Sequence, residues 1–192
     1  MQNAKHTMRT FAAIEVPVGL RLKSALRELR VDLAREKVKW VDFSTLHLTL
    51  FFLGETSAKT VGSLSESLAR ELAGISRFQI NLKGLGIFGP RGNPKVVWVG
   101  VEPCEPLVAL QRIVAGCVVP CGYPPDERGF NPHITVGRVK GVGNPPLLYD
   151  AVAASRNILF QQTLADRVIL YESTLTPGGA VYSPLVTQRL KP

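Results

Sequence analysis

Long apolar runs are missing from this chain. No stretch approaches the length a helix needs to cross a bilayer, so membrane spans drop out first. Residues 1–8 are polar and basic with no apolar segment behind them, so a secretory leader is not expected. Cysteine is scarce: Cys104, Cys117 and Cys121 are all there are. A small, odd count does not build a disulfide framework and points to a reduced, cytoplasmic setting. Cys117 and Cys121 lack a second cysteine or histidine pair at metal-binding spacing, so small buried thiols are the expected reading. The Gly- and Pro-rich run over 86–94 lacks the Gly-Lys-Ser/Thr ending of a phosphate-cradling loop, and no Gly-x-Ser-x-Gly elbow occurs. Acidic residues are the sparser sign, 15 against 23 Lys+Arg, a net charge of +8. That favours an anionic partner, nucleic acid first. On charge alone, a solvated basic surface with no partner fits equally well.

What remains is an ordinary globular composition, 45% hydrophobic and 20% charged over 192 residues, read as one domain spanning 1–192. Residues 10–16 alternate as a strand, with Phe11, Ala13 and Glu15 on one face and Ala12, Ile14 and Val16 on the other. From 20 to about 35 the period changes, and Leu22, Leu26, Leu29 and Leu33 mark an amphipathic helix. Strands are expected over 37–41, 47–53, 77–88, 95–101, 130–140, 165–175 and 181–190. Helices are expected over 58–73 and from Pro106 through Cys117, where proline is well placed to open the first turn. Residues 141–157 hold two glycines and two prolines and read mostly as loop. The pattern is α+β, with helices able to cover the outer faces of sheets.

Two of the three histidines sit in matching contexts. His47-Leu48-Thr49-Leu50 and His133-Ile134-Thr135-Val136 each read His, apolar, Thr, apolar. On a strand this puts an imidazole and a hydroxyl on one face and two apolar side chains on the other. His6 has no such context and is expected to be a bystander. The two copies read as related halves, each giving one strand to a shared cleft. Two histidines are too few for a typical metal site, and no carboxylate is fixed beside either motif. The role that fits is a general acid and a general base on opposite sides of a reacting centre. Imidazole titrates near neutrality, so one ring can accept a proton while the other gives one. The threonine hydroxyls can donate to an oxyanion. A tetrahedral phosphate flanked by both rings uses all four groups.

The sequence resembles the two-histidine phosphoesterases, and within them the RNA 2',3'-cyclic phosphodiesterases, also called 2'-5' RNA ligases or LigT-like proteins. The stretches that carry the resemblance run over nearly the whole chain: 9–15, 39–41, 47–54, 85–88, 97–101, 130–138, 170–175 and 179–182. The resemblance implies a bilobal α+β fold with a pseudo-twofold axis, two antiparallel sheets facing a central cleft, and helices on the outer faces. It implies metal-independent hydrolysis of an RNA 2',3'-cyclic phosphate to a 2'-phosphate, with RNA ends or cyclic nucleotides as substrate, no cofactor, no membrane and no obligate protein partner, as a monomer. Carried over by position, His47 protonates the leaving 3'-oxygen, His133 activates water, and Thr49 and Thr135 hold the non-bridging oxygens. Arg138 matches an arginine that contacts phosphate. Strict alternation aims it away from His133, so it serves only if the strand bulges or twists near Gly137. Phe11 matches an aromatic that can stack on a base. Phe51 and Asn131 stand where the family often carries arginine. The reading of another class is an RNA-binding module that keeps the cleft without catalysis.

Overall fold

The computed structural model describes residues 7–124 and 129–192, so His6 and part of the linker expected over 120–128 lie outside the described residues. Nine strands and four helices follow in the order β1 (Thr7–Glu15), α1 (Leu20–Asp32), β2 (Lys37–Trp40), β3 (His47–Ser57), α2 (Ala58–Leu72), β4 (Phe78–Phe88), β5 (Val96–Val101), α3 (Glu105–Val118), β6 (His133–Gly141), α4 (Pro145–Ala154), β7 (Leu159–Ala165), β8 (Arg167–Thr176) and β9 (Gly179–Arg189). They build two antiparallel sheets, β3-β1-β8-β9 and β2-β6-β5-β4-β7. The sheets correspond: a histidine-bearing strand, β3 or β6, pairs with the strand that precedes its helix, β1 or β5. β2 is an additional edge beyond β6.

The helices form where the leucine period demands. Leu22, Leu26 and Leu29 of α1 and Leu64, Leu68 and Leu72 of α2 are buried. In α3, Pro106 sits in the first turn and Leu107, Leu110, Val114 and Cys117 face the core, as the spacing predicts. The Ser57 hydroxyl caps α2 by accepting from Thr60 N–H at 3.1 Å. The core joins these faces to the apolar sides of both sheets, including Ile14, Leu48, Leu50, Ile134 and Val136. Phe11 and Ala13, with the opposite parity of β1, are not part of it.

Two expectations are corrected. Residues 145–154, read as loop, form α4. Pro145 and Pro146 occupy its first positions, where proline costs no helical hydrogen bond, and the Asn144 side chain accepts from Leu147 N–H. The strand expected over 165–175 is preceded by a separate one, β7, with a break at Asp166. β7 adds an edge to the second sheet against β4.

Candidate active site

The strands β3 and β6 approach each other where the two sheets face, and both histidines lie at their first residues. The rings are held alike. His47 Nδ1 lies 2.8 Å from the Thr45 carbonyl, and His133 Nδ1 lies 2.7 Å from the Asn131 carbonyl. A carbonyl only accepts, so Nδ1 carries the hydrogen in both rings. Each Nε2 is left as the atom that takes or gives a proton. The spacing is the same, with the carbonyl two residues before the ring.

Upstream of His47 a short 3-10 turn over Phe43–Thr45 aims that carbonyl. Asp42 Oδ1 accepts from Ser44 N–H at 2.8 Å and from its hydroxyl at 2.6 Å, and these bonds hold the Asp42 carboxyl below the usual range. Arg30 of α1 fastens the turn from behind. It donates to the Val41 carbonyl at 2.7 Å and lies over the Phe43 ring, 4.2 Å from its centroid.

Aromatic rings support each imidazole. His47 meets Phe11 at 4.8 Å between centroids and the edge of Tyr182 at 5.0 Å. His133 meets Phe88 edge-on at 4.8 Å, with Trp98 at 6.2 Å. Phe11 also stacks on Tyr171 at 5.4 Å and is 3% exposed. The open face expected of Phe11 is therefore not there: its ring is covered by His47 and the two tyrosines, and it acts as a floor for the imidazole. Sequence reasoning misses Tyr171, Tyr182, Phe88 and Trp98. Their place beside the histidines comes from cross-strand pairing, such as Phe11 with Tyr171, which no local pattern shows.

Arg138 is brought to the histidine face by a bulge. In the pairing of β5 with β6, Val97 faces Gly137 and Trp98 faces Thr135, so Val136 is an inserted residue. The insertion resets the alternation: Ile134, Val136 and Val139 are buried, while Arg138 and Lys140 are exposed. β3 carries the same device, since Ala12 faces Phe51 and Ala13 faces Thr49, leaving Leu50 inserted. In both strands the extra residue stands three positions after the histidine. Phe51, where the family often has arginine, is turned inward and 7% exposed. Thr49 and Thr135 are half-buried, and neither hydroxyl has a side-chain partner among the described residues.

Electrostatics distinguish His47. Burial is the largest cause lowering its pKa below the ordinary 6.5. The Thr45 hydrogen bond opposes this, and the positive charges of Arg138 and His133 add to it. Those two groups thus lie close enough across the cleft to act on this ring. At the cleft edge Arg138 stands directly opposite Lys39 of β2, two like charges in register. An anion between the lobes relieves that repulsion. The β8–β9 turn comes up to the same edge, where a Cβ at Gly179 would lie 3.6 Å from Lys39 Nζ. A cavity of about 380 Å³ opens beside His47, lined among others by Glu15, Thr45, Arg167, Tyr171 and Tyr182. Among the described residues no three His, Cys, Asp or Glu side chains gather as a metal cage.

Two facing antiparallel sheets, each giving a His-x-Thr strand to one cleft, define a two-histidine phosphoesterase. The family model of the 2'-5' RNA ligase superfamily matches residues 18–174, and the chain belongs to that superfamily. It is 33% identical over 183 residues to the RNA 2',3'-cyclic phosphodiesterase of Methanothermobacter thermautotrophicus, covering 95% of this chain and 99% of that protein. Among solved structures it resembles the TT0787 protein of Thermus thermophilus, with a TM-score of 0.79 at 27% identity, over 96% of this chain and 98% of that one. It also resembles E. coli LigT complexed with 3'-AMP, with a TM-score of 0.73 at 25% identity, over 97% and 100%.

Proposed function

We propose that this protein hydrolyses RNA 2',3'-cyclic phosphate ends, and small 2',3'-cyclic nucleotides, to 2'-phosphomonoesters, with His47 and His133 as the acid–base pair. The observation that carries the reading is the matched pair of rings, each with Nδ1–H committed to a carbonyl and Nε2 left for proton transfer. Water attacks phosphorus and the P–O3' bond breaks, while P–O2' is kept. His133 Nε2 takes the proton from water, and His47 gives one to O3' as it leaves. Thr49 and Thr135 donate to the non-bridging oxygens, and Arg138 supplies positive charge. Burial and the neighbouring cations keep His47 short of a proton in the free protein. The phosphate anion reverses that balance on arrival, so the acid is charged where it is used. Neither proton transfer passes through a metal or other cofactor.

Run backwards, the same steps join a 2',3'-cyclic phosphate to a 5'-hydroxyl, which is 2'-5' ligation. Both rings come from one chain, which supports residues 1–192 acting as a single bilobal unit and a monomer. The three free thiols support a reducing, cytoplasmic setting. No helix among the described residues is long and apolar enough to cross a membrane.

The test is product analysis with adenosine 2',3'-cyclic phosphate by phosphorus NMR, with and without EDTA. The reading expects the 2'-monophosphate in both cases. His47→Gln and His133→Gln should each lower kcat by about 10²–10⁴-fold with the fold intact. A 3'-monophosphate product, loss of activity in EDTA, or near-normal turnover in either variant overturns it.

A further inference from the structure

We propose that Phe52, with Arg9 beneath it, is a nucleobase-stacking subsite of the cleft; this rests on the phosphodiesterase reading and names a part of the site that reading leaves empty. Phe52 is 52% exposed, an open aromatic face on a strand whose other large apolar side chains are buried. The pairing of β1 with β3 puts Phe11 directly opposite Phe52. Directly opposed residues share a face of the sheet, and Phe11 lies against His47. Phe52 therefore opens on the histidine side. It stands five positions after His47, as Arg138 stands five after His133, and the insertion at Leu50 sets its direction as the one at Val136 sets that of Arg138. The cleft is thus furnished alike in its rings and hydroxyls and differently at this one place: guanidinium in one lobe, phenyl in the other.

A phenyl ring has no proton to move and no hydrogen bond to offer, so stacking is the recognition open to it. Arg9 Cζ lies 5.0 Å from the ring centroid, a cation–π contact that fixes the ring plane and leaves the other face free. Glu55, opposite Arg9 in register, is engaged by the Thr7 hydroxyl at 2.7 Å. A nucleotide matches this arrangement, with phosphate at Arg138 and a flat π-face over Phe52. Every base has such a face, so the subsite tolerates any sequence.

The experiment compares adenosine 2',3'-cyclic phosphate with glycerol 1,2-cyclic phosphate, which carries no base. Phe52→Ala should lower kcat/KM for the nucleotide by about 5- to 100-fold, mainly through KM, and change the base-free substrate less than twofold. Phe52→Trp should restore the nucleotide value. Independently of turnover, 2-aminopurine riboside 2'-monophosphate should lose fluorescence on binding the native protein and keep it with Phe52→Leu. Equal losses on both substrates, no loss on the nucleotide, or a quench that survives Phe52→Leu overturns the subsite. So does a change of oligomeric state in Phe52→Leu without a change in the substrate ratio, which assigns the ring to a contact between copies. Failure of the native protein to hydrolyse either substrate sinks the phosphodiesterase reading instead, and the fluorescence measurement still decides the subsite.

Discussion

Replacing Phe11 separates a residue that supports the imidazole from one that touches ligand. Its ring is 3% exposed and meets His47, Tyr171 and Tyr182 at 4.8, 5.4 and 5.1 Å between centroids. Phe11→Ala empties a filled site and should cost about 3–5 kcal/mol, the usual range for a buried phenylalanine. For a chain of this size that is a fall in Tm of roughly 6–20 °C. Phe11→Leu keeps much of the volume and removes the ring contacts. At about 0.5–1.5 kcal/mol for each of three aromatic neighbours, its cost is about 1.5–4 kcal/mol. The functional effect comes through His47. With its floor gone the ring loses a fixed position, and a shift near 1 Å costs on the order of 10²-fold. Phe11→Leu should therefore lower kcat by about 10- to 100-fold with KM little changed, equally for nucleotide and base-free cyclic phosphates. Loosening the packing also hydrates His47, so its pKa should rise toward 6.5, followed by NMR titration of the ring. A higher KM for the nucleotide alone, with kcat and the His47 titration unchanged, would refute the floor and make Phe11 a base platform.

Arg138→Met removes a positive charge that lowers the His47 pKa, so His47 should titrate at higher pH in the free protein, and kcat/KM should drop about 10- to 100-fold with the lost charge-assisted contact to phosphate. Because the folded-state pKa of His47 is depressed, the unfolded chain binds the proton first as pH falls. Stability should decline as pH drops below about 6.5, and His47→Gln should remove that part of the decline, read from Tm at pH 7.5 and 5.5. Gly86→Val should damage the second lobe: a Cβ there would lie 2.1 Å from the Trp98 ring. The displaced indole should lower Tm, cost about 1–3 kcal/mol or more, and reduce turnover through His133, while Gly92→Ala, with open space around its Cβ, serves as control for an exposed turn glycine and should leave turnover unchanged.

The histidines and threonines are legible in the sequence because alternation is local: two residues of period two place His47 with Thr49 and His133 with Thr135 without reference to the rest of the chain. Arg138 is legible only conditionally. Strict alternation sends it to the wrong face, and the inserted Val136 that corrects this is defined by the partner strand. For Phe11 alternation gives the correct face but not the correct depth, since Tyr171 and Tyr182 cover it from strands more than 150 residues away in sequence. α4 is hidden by its own prolines, which break a helix inside and start one at its first turn. β7 is hidden by its neighbour, because one residue, Asp166, separates it from β8.

The inserted residues at Leu50 and Val136 have a consequence for how such a molecule can diversify. They uncouple what lies ahead of them from what lies behind, so a change at position 52 or 138 leaves the geometry of the reacting pair undisturbed. Each lobe can then exchange its outermost reader, cationic or planar, as a separate choice. A duplicated frame thereby escapes its own symmetry one side chain at a time, and new selectivity requires no redesign of the machinery that cuts.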